Sequence, residues 1–450
     1  MNNYDVIVVG AGTGGCLAAK TLAKAGRKVC LIDRKSKKDI GDKVCGDAIG
    51  KHHFENIGLA PPSGAELDQI IDGIKVYSPD METEVNVQGE GVHGYLINRL
   101  LFGQRLLKEA KDAGAILFDS TIVINPIIEN NYVVGVLVKD QKTGKESKFN
   151  SRVVIDASGH SAVLRKILPP EFGIEKEVKD EDVEICYREI RELKEPISEP
   201  GFCKIYLDLQ RIPGGYYWIF PKSSTTVNVG LGVSMKKGFP NPKDLFNEVI
   251  LSMPIFEGSH ALTGGGGLVP TRRPISPMVG NGIIIIGDAA CQVNPIHGGG
   301  IGSSMMGGVK AAEVIDDALT KDDVSRETLW PYTGIFMELY GAKQAGLDIF
   351  RMLLQRLTNK EMNYGMRQRL ITDEDLLKTS MGEDMKLNIT EKTSRFFKGI
   401  GSLSLLMKLN TTAKLMKEIK ELYRNYPSSS EALEEWETKV QDIFDKAENI

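Results

Sequence analysis

Over residues 4–35 the chain alternates between two textures. "YDVIVVG" is a continuous apolar run of the kind buried on both faces of a parallel sheet, "TGGCLAAKTLAKAG" repeats its apolar residues at helical spacing, and "KVCLID" is apolar again. The expected order is strand, Gly-rich turn, helix, strand. A loop over 36–60 follows, and "INRLLFGQRLLKEAKDAGA" (97–115) predicts an amphipathic helix leading into a strand "ILFDSTIVI". Turn residues at Glu129-Asn130-Asn131 and Gly144 divide the next stretch into a small antiparallel meander that returns to the apolar strand of "VVIDASG".

From about 183 to 235 the period changes to two, in "CKIYLDL", "GYYWIFP" and "TTVNVGLGV". Alternation of this kind predicts a broad antiparallel sheet. In "GGYYWIFP" (214–221) Tyr216, Trp218 and Phe220 fall on one face of a strand and Tyr217 and Ile219 on the other. Aromatics make up 7% of the chain, so a row of three asks what it faces. "NGIIIIGDAA" (281–290) returns to a fully apolar strand, a Gly-rich stretch introduces a helix at about 299–319, and the remainder is helical in period. The expected fold class is mixed α/β. A discontinuous domain over 1–65, 95–175 and 275–325 carries an inserted antiparallel-sheet domain (66–94 and 176–274), and a helical region covers 326–450.

A chain of 450 residues is long for one compact core, which agrees with two or three domains. Hydrophobic residues at 42% and charged residues at 26% are an ordinary globular balance and argue against disorder. With 56 basic and 60 acidic side chains, net −4, no basic excess marks a nucleic-acid partner. The cysteines (Cys16, Cys30, Cys45, Cys186, Cys203, Cys291) form no CxxC pair, which suits a reducing cytosol. No basic stretch followed by an apolar run opens the chain, so no signal peptide is expected. Runs such as Ile283–Ile286 fall far short of the roughly 20 residues of a membrane span. Any membrane contact is expected to be peripheral, from the cytoplasmic side.

Gly10-Ala11-Gly12-Thr13-Gly14-Gly15 matches GxGxxG through Gly10, Gly12 and Gly15, directly after a predicted strand and at the start of a predicted helix. That context gives the motif its meaning: a tight turn, a bare backbone for a pyrophosphate, and close packing of helix on strand. The helix start supplies free N–H groups and partial positive charge. Asp33 ends the second strand where a carboxylate can accept ribose hydroxyls. Two further stretches, "VVIDASGHSAVLR" (153–165) and "IIIIGDAACQVNPIHGGGIGSSMMGG" (283–308), resemble motifs of FAD proteins of the p-hydroxybenzoate hydroxylase type. In the second, Asp288 is placed for ribitol hydroxyls, and Gly298–Ile301 bring bare backbone to a helix start. The expected cofactor is FAD, in a Rossmann-like domain. Only one dinucleotide fingerprint is present, so electrons are expected from a protein donor such as reduced ferredoxin, or from NAD(P)H bound transiently.

With these motifs, with "KVCGDAIG" (43–50), with "INR" at Arg99, and with the Y-x-W-x-F-P stretch followed by G-x-G at Gly230 and Gly232, the chain resembles the archaeal geranylgeranyl reductase family over about residues 1–400. The resemblance implies FAD contacts at Gly14, Gly15, Asp33, Cys45, Gly46, Ala48, Arg99, Val123, Asp288, Gly300 and Ile301. It also implies a peripheral membrane enzyme that saturates isolated double bonds in the prenyl chains of ether lipids. Some relatives pair cysteines near the C-terminus; this chain has none beyond Cys291.

An isolated alkene is not polarised, so its reduction needs near-contact geometry and a proton source. Tyr216, Trp218 and Phe220 are the candidate wall of a prenyl tunnel, the alternative being packing against the sheet's own helices. Cys45, in a Gly-flanked turn, and His297, just before the Gly-rich helix start, are the candidate catalytic groups; a small buried thiol and a turn cap are the plainer alternatives. The other histidines show no metal spacing, and Arg272 and Arg273 are candidates for a lipid phosphate. Two rival functions stay open on sequence alone: an FAD monooxygenase of the same fold, and a flavin-bearing carrier of lipid or electrons.

Overall fold

The structure, a computed structural model, describes residues 2–89, 91–236, 238–373 and 400–450. The apolar runs become the inner strands of an eight-stranded sheet whose main path runs Val279–Gly280, Ile283–Ile285, Glu146–Asp156, Asn2–Val9, Val29–Ile32, Ile116–Phe118. The four strands from Ile283–Ile285 to Val29–Ile32 are mutually parallel, as are Val29–Ile32 and Ile116–Phe118. Val6–Val8, Val29–Leu31, Val153–Ile155 and Ile283–Ile285 have no accessible surface, as strands covered on both faces require. The meander Thr121–Glu129, Tyr132–Asp140 and Glu146–Asp156 is antiparallel, and its first turn holds Asn130 and Asn131 at positive φ.

Three local expectations need correction. The helix over 97–115 is Arg99–Asp112, because Asn98 Oδ1 accepts the Leu101 N–H at 3.1 Å and starts it there. "ILFDSTIVI" is two strands, Ile116–Phe118 and Thr121–Glu129, broken where Ser120 turns left-handed (φ 51°). The first joins the parallel path and the second the meander. In "NGIIIIGDAA" only Ile283–Ile285 is paired strand, since Gly287 (φ 65°) turns the chain into the 3₁₀ turn Gly287–Ala290.

A seven-stranded sheet runs His260–Pro270, Val183–Glu192, Thr226–Ser234, Tyr216–Pro221, Phe202–Tyr206, Gly73–Tyr77, Glu84–Gln88. It is not wholly antiparallel as expected: Phe202–Tyr206 and Gly73–Tyr77 pair in parallel. These two strands lie far apart in sequence, so no hairpin dictates their direction. One face packs Tyr217, Ile219, Val229, Leu231 and Val233 on Leu245, Phe246 and Val249. The other carries Trp218 and Phe220, with Tyr216 alongside, against Ile71 and Leu96. Those two residues belong to a small sheet of Ala48–Gly50, Gly94–Ile97 and Leu67–Ile71. Toward the C-terminus, helices Ala342–Leu354, Ile400–Arg424 and Leu433–Glu448 pack on one another. Residues 374–399 of the helical region expected over 326–450 lie outside the described residues. Among the described residues no helix is long and apolar enough to cross a membrane.

Candidate active site

Two helix starts meet at the head of the central sheet. Thr13–Lys24 begins at Gly12 and Ile301–Thr320 at Gly300, and neither has a capping side chain. Glycines bring them together. A Cβ at Gly14 would lie 2.6 Å from Ser304 O, and one at Gly308 would overlap Gly14 O. Gly10 takes φ 106°, which side chains rarely adopt, and a Cβ at Gly15 would overlap Gly10 O. Gly12 differs: nothing stands within 4 Å of its missing Cβ. Of the four glycines in Gly10–Gly15, three are thus hemmed in by the fold, while Gly12 faces open space beside uncapped N–H groups. Such a turn has the bare backbone and free N–H groups that a dinucleotide pyrophosphate requires.

The surrounding residues fit such a group. Asp33 follows strand Val29–Ile32, and its carboxylate accepts the N–H groups of Ala11 (2.7 Å) and Lys35 (2.8 Å), which fixes it beside the glycine turn. Arg99 is buried, yet its Nε and one Nη have no partner among the described residues. Unpaired buried guanidinium nitrogens are costly unless a ligand meets them. Asp288 Oδ1 lies 3.2 Å from the Cβ position of Gly300, and its Oδ2 pairs with Lys43 Nζ at 2.7 Å. Asp156, wholly buried, accepts the N–H groups of Ser158, Leu164 and Arg165 and so shapes the turn of the "DASG" motif. Val123 is buried in Thr121–Glu129 opposite Val138. Ile301, also buried, opens its helix. Contacts among these residues tie Asp33 to the glycine turn, Gly14 to helix Ile301–Thr320, and Asp288 to Gly300 and Lys43; none joins Arg99 or Val123 to them directly.

The Lys43–Ala48 loop crosses the row face of the seven-stranded sheet. A Cβ at Gly46 would sit 3.1 Å from the Phe220 ring, and one at Gly265 would sit 3.0 Å from a Val44 methyl. The loop is anchored by a buried polar chain that sequence reasoning missed. Trp218 Nε1–H donates to Asn228 Oδ1 at 3.0 Å, and Asn228 Nδ2 donates to Cys45 O and to Asp47 Oδ2, each at 2.8 Å. Lys222 Nζ donates to Asp47 Oδ2 (2.9 Å) and Ile97 O (3.0 Å). Asp47 is 2% exposed and left-handed (φ 66°), so this network holds the loop in a conformation it would not choose alone. Half-buried Cys45 accepts the Asp47 N–H on Sγ at 3.3 Å. One signal was available: Asn228 is the single polar residue of "VNVGLGV", on the same face as Gly230 and Gly232.

Lys222→Met tests the anchor. It leaves the Asp47 carboxylate buried without its cation, for which the expected loss is about 3–5 kcal/mol of folding stability. Thermal or urea unfolding checks it, and a change below about 1 kcal/mol would mean that the pair is idle.

The aromatic row lies on one face, as alternation predicts, and that face turns to the Lys43–Ala48 loop and the small sheet rather than to helices. Trp218 and Phe220 are only 7% and 9% exposed; Tyr216 is the more open member. Tyr216 Oη–H donates to His297 O at 2.9 Å, tying the row to the Gly298–Ile301 turn. His297 Nδ1 in turn accepts the Gly299 N–H at 3.1 Å, so the ring caps its own turn. Its surface is accessible, yet loss of bulk water, with Lys343 nearby, lowers its pKa to about 4. The ring is therefore neutral at neutral pH. Arg272 and Arg273 are already engaged, Arg272 by Glu175 and Arg273 by Asp348 at 3.3 Å, so neither is free for a lipid phosphate.

Comparison with known proteins places the chain. A family model described as the geranylgeranyl reductase catalytic domain matches residues 182–269, the stretch that carries the row, Asn228 and the G-x-G strand. A second, described as glucose inhibited division protein A, matches residues 5–168. The chain is 44% identical over 442 residues to the digeranylgeranylglycerophospholipid reductase of Sulfolobus acidocaldarius, covering 98% of this chain and 97% of the relative. It is 33% identical over 385 residues to digeranylgeranylglycerophospholipid reductase 2 of Methanococcoides burtonii, with 84% and 91% covered. A solved geranylgeranyl bacteriochlorophyll reductase-like protein from Thermoplasma acidophilum shares the fold (TM-score 0.76, 23% identity, 92% of this chain and 100% of that one). So does a flavin-dependent brominase (TM-score 0.65, 21% identity, 87% and 99%). On the extent and level of the first match, this chain belongs to the digeranylgeranylglycerophospholipid reductase family.

Proposed function

We propose that this protein is an FAD-dependent oxidoreductase acting on CH–CH groups, which hydrogenates the isolated double bonds of geranylgeranyl chains in archaeal membrane ether-lipid precursors. The observation that carries the reading is the junction itself. Two uncapped helix starts, the Cys45 loop and the aromatic row with its G-x-G neighbour meet in one place. FAD bound there would supply the hydride equivalent. Gly10, Gly12, Gly14 and Gly15 cradle its pyrophosphate, Asp33 and Arg99 with Val123 hold the adenosine half, and Asp288 the ribitol. Cys45, Gly46, Ala48, Gly300 and Ile301 enclose the ring system. The row bounds the space for the prenyl chain, with Tyr216 as its open member.

His297 belongs to the reacting centre as a neutral cap that keeps the Gly298–Ile301 turn in shape, a role its bond from the Gly299 N–H supports. Cys45 belongs there through its turn: with the Sγ bond to Asp47 it sets how closely the loop approaches the cofactor. Cys45→Ser is expected to retain FAD and slow alkene reduction roughly tenfold or more. Flavin absorbance and turnover measured together check this, and unchanged turnover would reduce the thiol to packing. The electron donor is reduced ferredoxin, or NAD(P)H in a transient encounter. Leu403 and Met407, exposed one turn apart on helix Ile400–Arg424, support peripheral contact with the cytoplasmic membrane surface.

Incubating dithionite-reduced protein with a digeranylgeranyl glycerophospholipid in detergent, followed by mass spectrometry, tests the reading. The lipid should gain two hydrogens per reduced bond. Gain of oxygen, or an unchanged lipid, would overturn it.

A further inference from the structure

Reduction of an isolated alkene needs a proton as well as a hydride, and His297, neutral with a pKa near 4, is a poor acid. A different acid lies on the row face. Directly opposite pairs place Cys186 and Tyr216 across from Gly232, on either side of it, and Arg188 and Trp218 across from Gly230. Glu184, two residues before Cys186, therefore shares this face. The missing side chain of Gly232 leaves room for the Glu184 carboxyl and the Cys186 thiol, which pack over its backbone. The position of its absent Cβ is 3.0 Å from Glu184 Oε2 and 3.1 Å from Cys186 Sγ. Glu184 also pairs with Val269, whose side chain lies 3.7 Å from the Cβ position of Gly298. The carboxyl thus lies against the G-x-G strand, and its strand neighbour Val269 borders the Gly298–Ile301 turn.

It is an unusual carboxyl. Glu184 is 6% exposed; its backbone pairs with Ser234 and Val269 on either side, and its carboxyl has no hydrogen-bond partner among the described residues. The cation that acts on it, Arg351, is committed to Asp348 at 2.7 Å and Asp182 at 2.6 Å. Cys186 and Tyr216 on the same face carry no positive charge, and both are held protonated by burial, Cys186 well above its ordinary range and Tyr216 likewise. A structural glutamate buried this way would cost stability with nothing returned. Burial raises its pKa to about 7, so near neutral pH it can both hold and release a proton.

The geometry points to Glu184 as the acid that protonates the prenyl double bond, an inference that rests on the reductase reading above. One alkene carbon forms its new C–H bond with hydride from the reduced cofactor. The π electron pair forms the second C–H bond with the Glu184 proton, and the carboxylate left behind is reprotonated from water. Electrons and protons balance as one hydride and one proton per double bond.

Glu184→Gln, which keeps shape and neutrality, and Glu184→Asp, which keeps the acid, test this in the FAD-loaded protein. Reduced anaerobically and mixed with the digeranylgeranyl lipid, Glu184→Gln should bind FAD and accept electrons normally. Its reoxidation by lipid should slow at least roughly a hundredfold. Glu184→Asp should recover part of the rate. A second readout needs no turnover. Between pH 4.5 and about 7 the folded wild type holds a proton that the unfolded chain has released, so its stability falls as pH rises through that window. Glu184→Gln should show a flatter melting profile there. Reoxidation within a few-fold of wild type, or a melting profile with unchanged slope, would overturn the assignment. Failure of wild-type protein itself to be reoxidised would overturn the reductase reading and this assignment with it, and the wild-type control tells the two failures apart.

Discussion

Gly12→Val is expected to yield a folded protein that has lost its FAD. The Cβ position of Gly12 meets nothing within 4 Å, and its backbone is extended (φ −72°, ψ −173°), a conformation valine adopts readily. The apoprotein should therefore melt within about 1 kcal/mol of wild type. The isopropyl group instead fills the space where the pyrophosphate must approach the backbone. Losing that approach is expected to cost about 3 kcal/mol or more of binding, roughly a hundredfold or more in FAD affinity. Gly15→Ala is the contrast. There a Cβ overlaps Gly10 O, so the strand–turn–helix itself must shift, and folding yield should drop along with FAD. Absorbance of the purified proteins and their melting with and without added FAD check both. Gly12→Val retaining full yellow colour would contradict the cradle.

The second large effect divides the aromatic row. Trp218 is nearly buried and gives its indole N–H to Asn228, which in turn holds Asp47 and the Cys45 carbonyl. Trp218→Ala is expected to cost about 3–5 kcal/mol of stability and to loosen the Lys43–Ala48 loop. Tyr216 keeps accessible surface, and its hydroxyl bonds to His297 O. Tyr216→Ala should lower stability far less while cutting turnover on long prenyl chains roughly tenfold per bound flavin. On the opposite face, Ile219→Val should cost about 0.5–1.5 kcal/mol and leave substrate preference alone. Unfolding curves and turnover per flavin, measured on the same preparations, separate the three. If both aromatic variants lower only the melting temperature, the whole row is core and the prenyl path lies elsewhere.

Much of this was legible in the sequence because its signals are local. Apolar runs bounded by glycines mark the parallel strands, and period-two alternation marks the second sheet and splits Tyr216, Trp218 and Phe220 from Tyr217 and Ile219. Gly10, Gly12, Gly15 and Asp33 read as a nucleotide turn because the mechanism fixes their spacing. What was not legible depends on partners distant in sequence. Ser120 breaks a strand because the chain passes from one sheet path to another, and Gly73–Tyr77 runs parallel to Phe202–Tyr206 with no hairpin to announce it. Asp47 and Lys222 look like ordinary polar residues until the fold buries them with Asn228, whose place in an apolar strand was the one signal. Glu184 reads as one charge in "VEICYREIRE"; only its register opposite the G-x-G strand reveals a lone carboxyl on the row face.

The most direct test of the central claim is stoichiometric. The FAD-loaded protein is reduced under anaerobic conditions, excess reductant is removed, and digeranylgeranyl lipid is added while flavin absorbance is followed and the lipid is sampled. The account predicts reoxidation without oxygen, with one double bond saturated for each flavin reoxidised. Flavin that stays reduced until oxygen enters, with the lipid unsaturated throughout, would contradict it.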